Sequence, residues 1–364
     1  MGSCISCDAS IVDKVHDVGF DECNKNNDII KCEHGGDQIM LRGSSNFVSM
    51  YCQKGTKGLH NQDAMTVWKD FAGDKDTIFC GVFDGHGPLG HKFSYSIRDK
   101  LPSKLSTIIK LSQQKLSKQN GPNAKEKSSY GDLYSNDDEI NQQLSIASWE
   151  GSFLRSFNEM DKYLAKNVDT DGFCGGSVAV TLIKKGDQLI IGNLGDSRAV
   201  LCTKADDNHL IPIQLSVDLI PDVPSEAKRV IKCGGRVFAT KQDPTVNRIW
   251  MPEGDCPGLA MTRAFGDFCL KDYGLSSIPD VSYRKLTKQD EFVVLATDGI
   301  WNVLTNMEVI TIVASAPKRS LAAKLLVKRA VQVWKQKYPR HHIDDCAAIC
   351  LFFNENARGN KRYP

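Results

Sequence analysis

Four aspartates stand at the ends of apolar, strand-like segments, each beside a glycine or a second aspartate. They are Asp84, Asp196, Asp298 and Asp344. One such aspartate is typical of a turn, because its side chain hydrogen-bonds to its own backbone and glycine accepts a positive φ. Four together indicate different chemistry, since clustered carboxylates repel one another unless a cation lies between them. Oxygen-only ligands favour the hard cations Mg²⁺ and Mn²⁺.

Two divalent ions held in this way can activate a water molecule and hold a phosphate group for in-line attack. His86 follows Asp84 by two residues, and an imidazole there can exchange a proton with a reacting group near neutral pH. Without its Asp-Gly neighbours, this histidine would be typical of a turn. The remaining candidates, His91, His341 and His342, have no such link to the carboxylates, and we assign them surface or structural roles.

The elements that position these residues are predicted from hydrophobic periodicity. Residues 177–183, 188–194 and 198–202 are short β-rich runs separated by turn residues, which predicts an antiparallel meander. Further strands are predicted at 292–297 and 346–353.

Helical spacing predicts three helices. Their predicted spans are 224–233, 323–334 and the segment that carries Trp149, Phe153, Phe157, Met160 and Leu164, whose aromatic stripe is expected to pack on the core. Strands in runs, with helices grouped before and between them, indicate sheet packed on sheet with helices outside. We therefore predict the α+β class, with a central sandwich of two antiparallel β-sheets flanked by α-helices (four-layer α/β/β/α).

Composition limits the possible functions. The chain has 364 residues, of which 41% are hydrophobic and 25% are charged, enough for one large core or two modest ones. Its 46 basic and 44 acidic residues nearly balance, which excludes a general binder of nucleic acids. No apolar run approaches the roughly 18 residues of a membrane-spanning helix.

The cysteines and the N-terminus bear on location. Thirteen cysteines are scattered through the sequence with no secretory signal peptide before them, so we expect an intracellular protein with reduced thiols. Gly2 and Ser6 fit the myristoylation pattern, and Cys4 and Cys7 are candidates for palmitoylation. The alternative is a disordered terminus that matches a loose pattern by chance. If acylated, the protein would lie at the cytoplasmic face of the plasma membrane, and otherwise in the cytoplasm or nucleus.

Domain organisation follows from changes in composition. We expect residues 1–42 to form a flexible N-terminal extension with the lipidation signal, and residues 43–356 to form the main domain. Residues 112–145 are dominated by polar side chains and predict an insertion or long loop. Residues 357–364 are a basic C-terminal tail.

Seven segments, in order, resemble the motifs of metal-dependent serine/threonine protein phosphatases of type 2C, most of all the plant branch with an acylated N-terminus. They are NQDAM (61–65), GVFDGHG (81–87), GFCGGSVAV (172–180), GNLGDSRAV (192–200), GLAMTRAFGD (258–267), VLATDGIWNVL (294–304) and DDCAAICLF (344–352). The resemblance covers about residues 45–353 and makes 43–356 a metal-dependent phosphatase domain. It also places a variable flap at about 215–248.

The resemblance implies two Mg²⁺ or Mn²⁺ ions per subunit. Asp84 would bridge the ions and Gly85 would contribute its backbone carbonyl to one of them. Asp298 and Asp344 would bind the other, with Asp345 left open as the alternative to Asp344. A weaker third ion would be held by Asp196 together with Asp298.

The resemblance also implies that the protein hydrolyses phosphoserine and phosphothreonine in proteins with a metal-activated water. His86 would be the general acid that protonates the departing oxygen, and Asp63 would orient that histidine or its water network. The expected partners are phosphoprotein substrates, with kinases or receptors as further candidates. We expect a monomer that binds no nucleic acid and associates peripherally with membranes through its acylated N-terminus.

Three positions depart from the family pattern. Gly58 stands where the family usually has an arginine, which leaves Lys57 as the nearest cation for phosphate, and lysine acts only as a point charge. Gln62 replaces a glutamate. Asn302 replaces a second aspartate, which weakens the case for the third ion.

These departures keep a second function open, a catalytically weak phosphatase-fold regulator that binds kinases or receptors at membranes. The retained residues Asp84, Gly85, His86, Asp298 and Asp344 favour the enzyme. A cysteine phosphatase is excluded, because none of the thirteen cysteines has an arginine six positions later.

Overall fold

Two antiparallel sheets packed face to face form the frame of the protein. The computed structural model describes residues 29–32, 38–39, 47–119, 137–168, 174–340 and 342–353. Within these residues the strands and helices, numbered in chain order, have the following bounds.

The first sheet contains, in spatial order, β1 (Ile29–Cys32), β4 (Asp63–Lys69), β5 (Thr77–His86), β6 (Gly176–Lys185), β7 (Gln188–Leu194) and β13 (Asp280–Lys285), and β12 (Phe265–Gly266) pairs with β6. The second contains β2 (Gln38–Ile39), β3 (Phe47–Gln53), β15 (Cys346–Phe352), β14 (Asp290–Ala296), β8 (Arg198–Lys204) and β9 (Leu210–Gln214). A separate two-stranded sheet contains β10 (Arg236–Ala239) and β11 (Asn247–Trp250). The helices are α1 (Gly90–Gln119), α2 (Asp137–Asn167), α3 (Pro224–Lys232), α4 (Phe268–Lys271), α5 (Asp298–Trp301), α6 (Asn306–Ala314) and α7 (Ala322–Lys337).

The central strands of both sheets, such as β5, β6, β14 and β15, are buried on both faces, which explains their continuous apolar runs. Along β5, Cys80 and Val82 belong to the core between the two sheets, whereas Phe79 and Phe83 pack in the core under α1 and α2. On the other side, α6 and α7 pack on the outer face of the second sheet. Each fully buried side chain of this size stabilises the fold by about 1.5–3 kcal/mol. The predicted four-layer α/β/β/α sandwich is confirmed.

The predicted helices and strands are also present, and the aromatic stripe of α2 is core. Phe153, Phe157, Met160 and Leu164 have no exposed surface. The predicted meander is wrong in its third strand: β6 and β7 form a hairpin in the first sheet, but β8 belongs to the second sheet and pairs with β14. Since both sheets bury both faces, periodicity alone cannot assign a strand to one of them.

The N-terminal boundary of the domain also differs from the prediction. Residues 29–32 pair with β4, and residues 38–39 pair with β3, so parts of the predicted extension 1–42 form the outermost strands of both sheets. The backbone of α1 and α2 continues into the predicted insertion 112–145, whose lysines and glutamines are good helix formers. Gly2, Cys4, Cys7 and the tail 357–364 lie outside the described residues.

The expectation of reduced cysteines is not met at every position. Cys174 and Cys269 form a disulfide, with Cα atoms 6.7 Å apart. Other cysteines, including Cys80, Cys202 and Cys350, are free and buried as expected.

The flap region 215–248 is attached to the core by a buried carboxylate on α3. Glu226 is 3% exposed, and its oxygens accept hydrogen bonds from Arg229, Arg263 and Thr262 at 2.7 to 3.0 Å. Burial alone would raise the pKa of Glu226, but the hydrogen bonds from Arg263 and Arg229 outweigh it and lower the pKa to about 2. The folded state therefore strongly favours the ionised form of Glu226.

We expect Glu226→Gln to lower the free energy of unfolding by about 2–4 kcal/mol at neutral pH, because two half-buried guanidinium groups lose a buried, charged partner. A lowered pKa stabilises the folded state fully above the ordinary carboxyl pKa near 4.5, and this stabilisation is lost as pH falls toward 2. The difference between wild type and variant in urea unfolding should therefore shrink over that range. As a matched control, Glu159→Gln removes the exposed pair with Arg155 and should change stability by less than about 1 kcal/mol. Equal effects of the two substitutions would contradict the anchoring role.

Candidate metal centre and catalytic site

The predicted carboxylates meet at one end of the sandwich, although they come from distant parts of the chain. Asp84, near the end of β5, lies opposite Asp63 in the β4–β5 register. Asp298 begins α5 directly after β14, and Asp344 lies just before β15. Asp196 lies where the chain passes from β7 in the first sheet to β8 in the second. Both sheets therefore deliver carboxylates to one place.

The electrostatics of the site confirm how closely these side chains approach. Burial, and next the charge of Asp63, raises the pKa of Asp84 well above its ordinary value. Burial, and next the charge of Asp298, does the same for Asp196. For Asp298, burial and the charge of Asp344 raise the pKa to about 6. Neighbouring carboxylates that are buried together remain ionised only when a cation lies among them.

The donor set fits hard divalent cations. Among the described residues, no group of three or more His, Cys, Asp or Glu side chains is placed so that it could hold a metal ion as the side chains stand. Mg²⁺ usually binds through one or two carboxylates and keeps several waters, so an open carboxylate cluster suits it better than a closed cage.

Gly85 provides the close backbone packing that this site requires. Its N–H donates to the Gln62 carbonyl at 3.0 Å. A Cβ at this position would lie 2.4 Å from the Gly90 carbonyl oxygen and 2.7 Å from that of Gln62. Only glycine permits this packing beside Asp84, which supports a backbone role for Gly85.

The choice between Asp344 and Asp345 is informed by their hydrogen bonds. Asp345 accepts from the Gly55 N–H and the Gln62 N–H, both at 2.7 Å, with one carboxylate oxygen each. It thus holds the 55–62 loop against β15. The negative charge of Asp344 instead acts on Asp298 and raises its pKa. This interaction supports Asp344 as the metal ligand.

His86 has a different partner from the one expected. Its Nε2 lies 2.5 Å from Oδ2 of Asp267, whereas Asp63 accepts a hydrogen bond from the Thr297 hydroxyl at 2.8 Å. Burial, and next the charge of Asp345, raises the pKa of Asp63 well above its ordinary value. Asp63 therefore does not hydrogen-bond to His86 and is a member of the carboxylate cluster, while its predicted role in the water network of His86 stays a prediction. Asp267 was overlooked although it too follows a glycine at a strand end, because β12 has only two residues.

Lys57, Gln62 and Asn302, which lie at or beside the positions that depart from the family pattern, each interact with residues of the site. Lys57 is exposed, yet its charge reaches the cluster and opposes the rise in the pKa of Asp298 that burial and Asp344 cause. The Gln62 side-chain amide donates to the Gly87 carbonyl at 2.9 Å. The Asn302 amide donates to Oδ2 of Asp298 at 3.0 Å, and a donor at this oxygen disfavours a further cation there.

The flap borders the carboxylate cluster. A cavity of about 180 Å³ is lined by Asp196 and Asp298 on one side and by residues 245–247 of the flap on the other. Arg198 also lines this cavity, where it pairs with Asp218 and lies 5.1 Å from the ring centre of Trp301. Substrate groups that enter the cavity would contact both the cluster and the flap.

No helix among the described residues is long and apolar enough to cross a membrane.

Two packed antiparallel sheets that end in a buried carboxylate cluster, with a histidine beside it, define the class of molecule as a metal-dependent hydrolase of phosphate esters.

Comparisons with known proteins agree with this class. Residues 52–336 match the family model described as Protein phosphatase 2C. The chain is 46% identical over 354 residues to "Probable protein phosphatase 2C 65" of Arabidopsis thaliana, covering 97% of this chain and 88% of the relative. It is 49% identical over 329 residues to "Probable protein phosphatase 2C 73" of Oryza sativa subsp. japonica, covering 90% and 76% respectively.

A solved structure shows the same fold. The serine-threonine phosphatase 2C from Toxoplasma gondii superposes with a TM-score of 0.72 at 24% identity, covering 90% of this chain and 99% of that one. The protein belongs to the protein phosphatase 2C family and is a metal-dependent protein serine/threonine phosphatase.

Proposed function

We propose that the protein hydrolyses phosphoserine and phosphothreonine in proteins with two Mg²⁺ or Mn²⁺ ions bound at the carboxylate cluster. Asp84 and the Gly85 carbonyl would hold one ion, and Asp84, Asp298 and Asp344 the other. Asp196 would contribute to a weaker third site. The observation that carries this proposal is the convergence of buried like charges from separate segments of both sheets.

When bound, the two ions supply the positive charge that activates water and offsets the charge of the phosphate. His86 gives a proton to the departing seryl or threonyl oxygen, because an alkoxide leaves poorly without one. Lys57, which is exposed and whose charge reaches Asp298, adds a point charge for the substrate phosphate. The flap, which lines the adjoining cavity, selects among phosphoprotein segments.

A metal-titrated assay of the full chain on a phosphoserine peptide tests this function. Activity should appear on addition of Mn²⁺ or Mg²⁺, disappear with a chelator and return when the metal is restored. Calorimetric titration of Mn²⁺ should give about two sites. Binding of Mn²⁺ without any turnover would contradict the enzyme and favour the regulator that binds kinases or receptors.

The proposal extends to peripheral attachment to the membrane through acylation of Gly2, Cys4 and Cys7. The sequence pattern at the N-terminus supports it. Kinases or receptors located at that membrane would then be accessible as partners or substrates.

A further inference from the structure

A buried histidine–aspartate pair lies beside the carboxylate cluster. His86 Nε2 and Asp267 Oδ2 are 2.5 Å apart, although the two residues are 181 positions apart in the sequence. The exposed fraction is 6% for His86 and 1% for Asp267. A carboxylate with so little solvent contact requires a strong hydrogen-bond donor to remain buried.

The backbone around the pair is arranged to make room for it. A Cβ at position 176 would lie 2.4 Å from Asp267 Oδ2 and 3.0 Å from His86 Nε2, so only glycine allows the two side chains to meet. Asp267 itself has a φ of 44°, a left-handed conformation that is uncommon for a residue with a side chain and tends to occur at functional sites. Its N–H donates to the Gly175 carbonyl at 2.8 Å, which fixes it in this position.

The charge of Lys271 acts on Asp267, but its ammonium group forms its hydrogen bonds with other residues. The Lys271 ammonium pairs with Asp161 at 3.0 Å and donates to the Ala264 carbonyl at 2.7 Å. Asp161 also accepts from the Gly266 N–H at 2.9 Å. Within the described part of the chain, His86 Nδ1 and Asp267 Oδ1 are both buried without a hydrogen-bond partner. Asp267 therefore engages one ring nitrogen of His86, while the other, Nδ1, is buried and has no hydrogen-bond partner among the described residues.

We propose that Asp267 is a positioning residue for His86, which rests on the proposed role of His86 as general acid. The Asp267 carboxylate accepts the hydrogen on Nε2 and fixes the ring so that Nδ1 is the nitrogen that reacts. As the phosphorus–oxygen bond breaks, the hydrogen on Nδ1 passes to the departing oxygen. The imidazole is then neutral and keeps its remaining hydrogen on Nε2, facing Asp267.

The kinetic test compares two substrates in the full-length, metal-loaded protein. A phosphoserine peptide releases an alkoxide that needs a proton, whereas p-nitrophenyl phosphate releases a stabilised phenolate that does not. We expect Asp267→Asn to lower kcat on the peptide about 100-fold, with KM and the rate on p-nitrophenyl phosphate nearly unchanged. Asp161→Asn is the matched control, since it changes a neighbouring half-buried acid that does not touch His86. It should affect the two substrates equally.

Two results would overturn the role. One is an equal loss on both substrates in Asp267→Asn, which indicates a merely structural residue. The other is an unchanged rate on the peptide.

A second measurement on wild-type protein does not depend on activity. In protein labelled with ¹⁵N-histidine, the His86 signals are assigned by their loss in His86→Asn. We expect the long-range proton–nitrogen correlations to place the hydrogen on Nε2, with a strongly deshielded resonance that is absent from Asp267→Asn. A hydrogen found only on Nδ1 would overturn the proposal. If wild type shows no turnover, the proposed function fails, and this spectrum still decides whether Asp267 holds the ring.

Discussion

Asp84→Asn is expected to reduce kcat on a phosphoserine peptide by about 1,000-fold or more. Asparagine has nearly the same shape but no charge, so both ions would lose their shared ligand and with it several kcal/mol of transition-state stabilisation. Titration of Mn²⁺ followed by calorimetry or electron paramagnetic resonance should show weaker binding and fewer sites. Activity that survives at the same Mn²⁺ concentration would show that Asp84 does not bridge the ions.

The same substitution should stabilise the metal-free protein. Burial and repulsion from Asp63 raise the pKa of Asp84, which means that its charge destabilises the folded state when no cation is present. In excess chelator, the free energy of unfolding of Asp84→Asn should exceed that of wild type by about 1 kcal/mol or more. Asp187→Asn, at an exposed turn between β6 and β7, is the control and should change neither activity nor stability.

Neighbouring aspartates before β15 should give opposite results. We expect Asp344→Asn to lower kcat about 100-fold or more, because it would remove a proposed metal ligand. In excess chelator it should cause no loss of stability, because it removes one charge from a cluster of like charges. Burial raises the pKa of Asp345, which favours removal of its charge, but asparagine replaces one accepting oxygen with an NH2 that opposes the N–H of Gly55 or Gln62. Because a buried donor without an acceptor is costly, we expect Asp345→Asn to lower the free energy of unfolding by about 1–3 kcal/mol. Its effect on kcat should be much smaller.

Paired measurements of peptide hydrolysis and urea unfolding separate the two roles. The reversed pattern, with activity lost in Asp345→Asn and stability lost in Asp344→Asn, would assign the metal to Asp345.

Local sequence patterns identified most of the individual elements of the fold. Apolar runs predicted β6, β7, β8, β14 and β15, and helical spacing predicted α2, α3 and α7. The sequence did not show which strands pair with one another. The chain places β13 beside β7 and moves β8 to the other sheet, and a run that is apolar on both faces does not encode which sheet it joins.

In the site, too, residues within local motifs were predicted, whereas a contact between distant segments was not. Asp84, Asp298 and Asp344 were predicted because each is part of a recognisable motif, and the structure brings them together. Asp267 was missed as the partner of His86 because that contact joins segments that are far apart in the sequence. The extra strands β1 and β2 were missed because they are short segments in a polar, weakly periodic region.

The pairing of β3 with β15 has a consequence for how the protein matures. Phe47 lies opposite Phe352, and Gln53 lies opposite Cys346, so a strand that is synthesised early pairs with the last strand of the described residues. The hairpin of β6 and β7 can form while translation continues, but the second sheet stays incomplete until its C-terminal strand is released. Contacts of such long sequence separation make folding slow. Because Asp344 directly precedes β15, a nascent chain cannot assemble the carboxylate cluster before this strand has been synthesised.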